Sequence, residues 1–134
     1  MRVEIEENGI RYAAVFSKEP IPKGLTFYTQ DSNYLQVASW NYNKGRHLKA
    51  HMHKVCPRTS DITQEFVFVK KGSVRVYMYT RDGKPLKNFD LYSGDFMIVF
   101  EGGHGYDILE DNTEVIEVKN GPYPGLEKDK KSLE

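Results

Sequence analysis

The apolar residues of this chain fall in short runs closed by turn residues, and no stretch of ten or more residues carries a convincing helical period. A half-buried strand repeats every two residues and an amphipathic helix every 3.6, so this rhythm selects strands. Val3-Glu4-Ile5 alternates before Asn8-Gly9, and Ile10 to Phe16 follows, ended by Glu19-Pro20-Ile21-Pro22 and Gly24. Leu25 to Thr29 and Tyr34 to Tyr42 form two more runs. Glu65 to Val69 stops at Lys71-Gly72, and Val74 to Tyr79 leads into Asp82-Gly83, the strongest hairpin signal present. Leu86 to Leu91 returns, Gly94-Asp95 turns into Phe96 to Phe100, Gly102-Gly103 breaks that run, and His104 to Leu109 and Glu114 to Val118 complete the series. Nine Tyr and seven Phe favour the same state. About ten short strands with frequent turns predict an all-β sandwich or barrel.

The chain has 134 residues, a length that fits one domain and can bury roughly two thirds of its unfolded surface. Lys plus Arg and Asp plus Glu both number 19, so the net charge is zero and no basic excess speaks for nucleic acid. The only dense lysines, Lys128, Lys130 and Lys131, are interleaved with Glu127 and Asp129 and read as a solvated tail. No run approaches the ~18 apolar residues of a membrane helix. The acidic start has no apolar signal core, and one cysteine, Cys56, makes no intramolecular disulfide, so a reducing, cytoplasmic setting is expected. Gly121-Pro122-Tyr123-Pro124-Gly125 cannot continue a central strand and is expected to lead a C-terminal arm over the surface. Lys54 to Thr63 reads as a polar loop.

Three of the four histidines, His47, His51 and His53, lie within seven residues; the fourth is His104. On a strand, His51 and His53 would share one face and aim two imidazoles at one point. Neutral imidazole is a favoured ligand of first-row divalent metals. Glu65 shares its face with Val67 and Val69, which sets a carboxylate on an otherwise apolar side, and a buried carboxylate needs a partner. His104 opens another strand. Each residue also has an ordinary reading, as a surface histidine or the polar start of an edge strand; the combination is what suggests a site.

These residues resemble the two signature motifs of the cupin superfamily. The first sets a glycine six residues before an H-x-H pair, then a glutamate, then a glycine seven residues later. Gly45, His51, His53, Glu65 and Gly72 match both glycine spacings, with a longer insert around Cys56-Pro57-Arg58. Gly94, Gly102 and His104 resemble the second motif, although Phe100 stands where proline is expected and His104 comes one residue early. The resemblance spans roughly residues 40–118. It implies a jelly-roll barrel over about residues 34–118 within a single domain, residues 1–134, with extra N-terminal strands and an arm over about residues 119–134. It also implies His51, His53, Glu65 and His104 as ligands of a divalent transition metal: Fe, Mn, Ni, Co or Zn. A looser similarity to stand-alone cupins of surface-polysaccharide gene clusters suggests a sugar derivative as substrate.

In such a barrel Val67 and Val69 would form an apolar pocket wall. Tyr106 and Ile108 would face inward with His104, and Lys49 and His47 would stand nearer the mouth. Lys49 and Tyr106 are therefore candidates to hold a small-molecule substrate, against the simpler readings of a solvent-facing lysine and a packing tyrosine. Three readings follow: a metal-dependent enzyme of isomerase or lyase type, an Fe(II) oxygenase, and a non-catalytic small-ligand-binding module. Cys56 is either a further ligand or packing. Phe66 and Phe68 face away from the pocket, and Arg75, Tyr77 and Tyr79 share one side of the next strand. These aromatics suggest a sheet-to-sheet homodimer unless the N-terminal strands cover them.

Overall fold

The computed structural model describes residues 1–134. Ten strands form in the order β1 (Arg2–Glu7), β2 (Ile10–Phe16), β3 (Gly24–Phe27), β4 (Ala38–Asn41), β5 (Glu65–Lys71), β6 (Ser73–Tyr79), β7 (Pro85–Tyr92), β8 (Phe96–Val99), β9 (Gly103–Ile108) and β10 (Glu114–Lys119). One helical turn, α1 (Leu126–Asp129), follows. The chain is all-β, and every pairing is antiparallel. A five-stranded sheet runs β1-β2-β8-β5-β10, a three-stranded sheet β7-β6-β9, and β3-β4 stands as a hairpin. No sheet closes on itself.

The turns follow from their residues. Asn8 and Gly9 both take positive φ, the requirement of a two-residue hairpin turn whose twist matches the strands it joins. At the β6–β7 hairpin Gly83 supplies positive φ, and its N–H donates to the Thr80 carbonyl at 2.9 Å. Gly102 also has positive φ, and a Cβ there would collide with the Tyr79 carbonyl oxygen and the Tyr12 ring. Backbone and ring can approach at the start of β9 because that side chain is missing.

The central strands of the five-stranded sheet are covered on both faces, whereas its edge strand β10 is exposed from Glu114 to Val118. Residues of β8 are buried at every position, and β2 is buried from Tyr12 to Phe16. On one face Val15, Val67, Val69 and Met97 pack against Val74, Val76, Met78 and Leu91 of β6 and β7. On the other, Ala14, Phe16, Phe96, Ile98 and Phe100 pack with Tyr28, beside Val37, Phe66 and Phe68. Phe16 stacks on Phe96 at 4.6 Å and meets the Tyr28 ring edge-on at 4.9 Å. Phe66 and Phe68 are thus half-buried against this second core. Arg75 and Tyr77 point outward but are engaged, by Asp90 at 2.8 Å and Asp107 at 2.7 Å.

Two expectations are corrected in the middle of the chain. The run from Tyr34 to Tyr42 gives only the short β4, and residues 42–64 contain no strand at all, so the loop is longer than Lys54 to Thr63. The C-terminal arm does fold back over the surface. Leu133 packs where Gly83 and Gly103 leave room; a Cβ on Gly103 would lie 2.5 Å from its Cδ1.

Candidate functional site

Glu65 opens β5 with its side chain on the inner face, in line with buried Val67 and Val69. Its entry is fixed by the residue before it. The Gln64 N–H donates to Asn120 Oδ1 at 2.7 Å, and Gln64 Oε1 accepts from the Tyr34 N–H at 2.8 Å and the Leu35 N–H at 3.1 Å. Asn120 also donates to Ser60 Oγ and the Ile62 carbonyl, each at 3.1 Å, which pins the end of the long loop. The Glu65 side chain is only 5% exposed, and its carboxylate needs compensation there.

That compensation comes from β9 and β10. His104 lies across β6 from the wall, paired with Met78, and its Nε2 approaches Glu65 Oε2 to 2.5 Å. The two groups meet as an acid–base pair, while His104 Nδ1 has no hydrogen-bond partner. Lys119 is the register partner of Glu65 on β10; its Nζ lies 3.7 Å from Oε1 and 3.2 Å from Glu117. Burial pushes the Glu65 carboxyl up, but His104 and then Lys119 outweigh it and hold the group below the usual carboxylate range. Tyr106, two residues along β9, sits with its ring 5.6 Å from the His104 ring. Its hydroxyl is buried without a partner. Burial, reinforced by the Glu65 charge, pushes its phenol well above the ordinary value, so it stays a protonated donor.

The structure brings Glu65, His104 and Tyr106 together, and adds Lys119. It does not bring His51 and His53 to them. Those two are exposed and lie outside any strand, with ring centroids 5.2 Å apart and His51 Nδ1 3.0 Å from the Lys49 carbonyl. Lys49, His47 and Cys56 are exposed as well. No three His, Cys, Asp or Glu side chains meet as a metal-holding group. Ile108 corrects another expectation: it shares the parity of His104 and Tyr106 but is 63% exposed. Two surface depressions, of about 440 and 340 Å³, lie elsewhere, around Arg75 and Asp90 and around Tyr12 and Arg81.

The expected ligand residues therefore lie in two separate groups. One is the Glu65–His104 pair, whose His104 Nδ1 has no partner, beside the partnerless Tyr106 hydroxyl. The other is an exposed pair of imidazoles. A carboxylate and an imidazole are donors that suit a divalent cation. Lys119 was not legible from motif spacing; only the register that sets it opposite Glu65 reveals it. No helix is long and apolar enough to cross a membrane. The chain matches no family model, no curated protein and no solved structure.

Proposed function

We propose that the protein is a small metal-binding cupin with a jelly-roll arrangement, acting on a small polar molecule such as a sugar derivative by isomerase- or lyase-type chemistry. One observation carries this reading: Glu65 and His104, drawn from the two motifs, meet beside the buried, partnerless Tyr106 hydroxyl. His51, His53, Glu65 and His104 would hold the ion. Bound there, it would supply a Lewis acid for a carbonyl or hydroxyl oxygen.

The chain's own groups have separate tasks. Val67 and Val69 keep water from one side of the site. Tyr106, protonated at all physiological pH values, donates a hydrogen bond from its hydroxyl to a substrate oxygen. Lys119 keeps Glu65 ionised as an acceptor. The exposure of His51 and His53 favours a second reading, a non-catalytic module that holds a small ligand against Tyr106 and His104 without turnover.

Elemental analysis of untagged, chelator-free protein tests the proposal. Near-stoichiometric transition metal is expected, sharply reduced in His53→Ala and Glu65→Gln and unchanged in His47→Ala. Absence of metal, with none taken up from added Fe, Mn, Ni, Co or Zn, would leave the ligand-binding module as the better reading. Equal loss in His47→Ala would show that the ligand set is wrong.

A further inference from the structure

Two contacts of the C-terminal arm, residues 125–134, fall on opposite sides of the Glu65–His104 pair. On the side of the five-stranded sheet, Thr63 Oγ1, two residues before Glu65, donates to Asp129 Oδ1 at 3.5 Å. Asp129 also lies within electrostatic reach of Lys119, the register partner of Glu65, and Lys130 lies within reach of Glu65 itself. On the side of the three-stranded sheet, Leu133 rests against Gly103, the residue before His104, and against Gly83 of the β6–β7 turn. Both glycines leave it room: an added Cβ would lie 2.5 Å from Leu133 Cδ1 at Gly103 and 3.1 Å from Cδ2 at Gly83.

Packed sheets stand roughly 10 Å apart, and the chain from Asp129 to Leu133 reaches up to about 14 Å when extended. The arm therefore has the length to cross from one sheet to the other at the end where Glu65 and His104 meet. Behind it lie two buried polar atoms without partners, His104 Nδ1 and the Tyr106 hydroxyl. The fastening is light. The Thr63–Asp129 bond is the only hydrogen bond from residues 125–134 to the rest of the chain, and no residue of the arm enters either core. The single turn α1 buries no residue, and Leu133 stays 43% exposed. Gly125, at φ 99° and ψ 157°, takes a backbone conformation that is essentially reserved for glycine, and the arm departs from it. A segment with so few buried contacts opens at low free energy while the cores stay folded.

We propose that residues 125–134 are a lid over the Glu65–His104–Tyr106 site, closed in this structure and swinging open about Gly125 to admit a small ligand. The inference rests on reading those three residues as a ligand site and adds the control of access to it. Asp129 and Leu133 are the two latches, one on each sheet. Releasing them uncovers His104 and Tyr106 without disturbing the packing of either core.

Hydroxyl-radical footprinting, read residue by residue by mass spectrometry, tests the lid on the full-length protein with no ligand added. Met52, 92% exposed, is the open reference, and Met97, 0% exposed in the central sheet, is the closed one. Asp129→Ala combined with Leu133→Asp releases both latches at unchanged chain length. It is expected to raise labelling of Tyr106 and His104 relative to Met52 at least about three-fold, with Met97 still protected. A chain ending at Gly125 loses no core residue and should show the same rise. Labelling of Tyr106 and His104 that is unchanged in both variants would overturn the lid. Labelling of Met97 that rises together with theirs would overturn it as well, because the arm would then be holding the fold rather than covering a site. No ligand enters the measurement, so its failure strikes the lid alone, whereas failure of the metal reading would show in the elemental analysis with the footprint unchanged.

Discussion

Glu4 shows how a single exposed-strand residue earns its place. Arg11 grips its carboxylate with two bonds, Nε to Oε2 at 2.7 Å and Nη2 to Oε1 at 2.9 Å, and Arg2 Nε adds a third at 3.0 Å. Chiefly through Arg11, and despite partial burial, the carboxyl is held below the usual range. A depressed carboxyl stabilises the fold fully above its unfolded value of about 4.3 and loses that contribution as the pH falls through its folded value. Glu4→Gln should therefore differ from the wild type most at neutral pH, with the gap closing at pH 3. Urea unfolding at both pH values measures it; a gap of equal size at both would show that the pair contributes no proton-linked stability. At the same scale, Glu65 and His104 were legible as candidates because their residue types are out of place in apolar surroundings. Lys119 was not, because nothing local marks a lysine as the register partner of a carboxylate.

At the level of elements, turn chemistry and period-two runs mark a segment for each strand of the structure, most clearly where a run is buried, as in β2, β5, β6 and β8. Residues 47–53 mark where that logic stops. Alternation records what a segment can become, whereas pairing depends on an edge supplied by distant residues. Tyr34 to Tyr42 shows the same limit, since only Ala38 to Asn41 finds a neighbouring strand. The turn before β8 is held by Asp95, whose Oδ1 accepts from the Lys18 N–H at 3.0 Å and whose Oδ2 accepts from the Tyr92 N–H at 2.9 Å and Ser17 Oγ at 3.2 Å. Asp95 is 1% exposed, so its removal strands these donors without water. Asp95→Ala should cost about 2–3 kcal/mol, the scale of losing hydrogen bonds to a charged acceptor. Thermal and urea unfolding check this; a loss below 1 kcal/mol would mean that the turn stands without its anchor.

Across the whole molecule, the five-stranded sheet is the shared wall of two cores. One faces β6, β7 and β9 and carries the candidate site at its end; the other faces the N-terminal segments through Phe16, Phe96 and Tyr28. Because β2 and β8 contribute to both, the cores should unfold together. Phe16→Ala, at a ring that is 1% exposed, should cost about 3–5 kcal/mol and still give one transition. Coincident curves from far-ultraviolet dichroism and from the tyrosine signal would confirm the coupling, and two separated transitions would refute it. The contact of Leu133 with Gly83 and Gly103 bears on how such experiments are built. Gly103 is the immediate neighbour of His104, so any polypeptide appended after Glu134 leaves the molecule beside the rim of β9. A histidine tail attached there would lend foreign imidazoles to the neighbourhood of His104, and an apparent metal stoichiometry would then report the handle as much as the protein. The opposite terminus is held elsewhere, its amino group paired with Glu19, and offers the cleaner point of attachment.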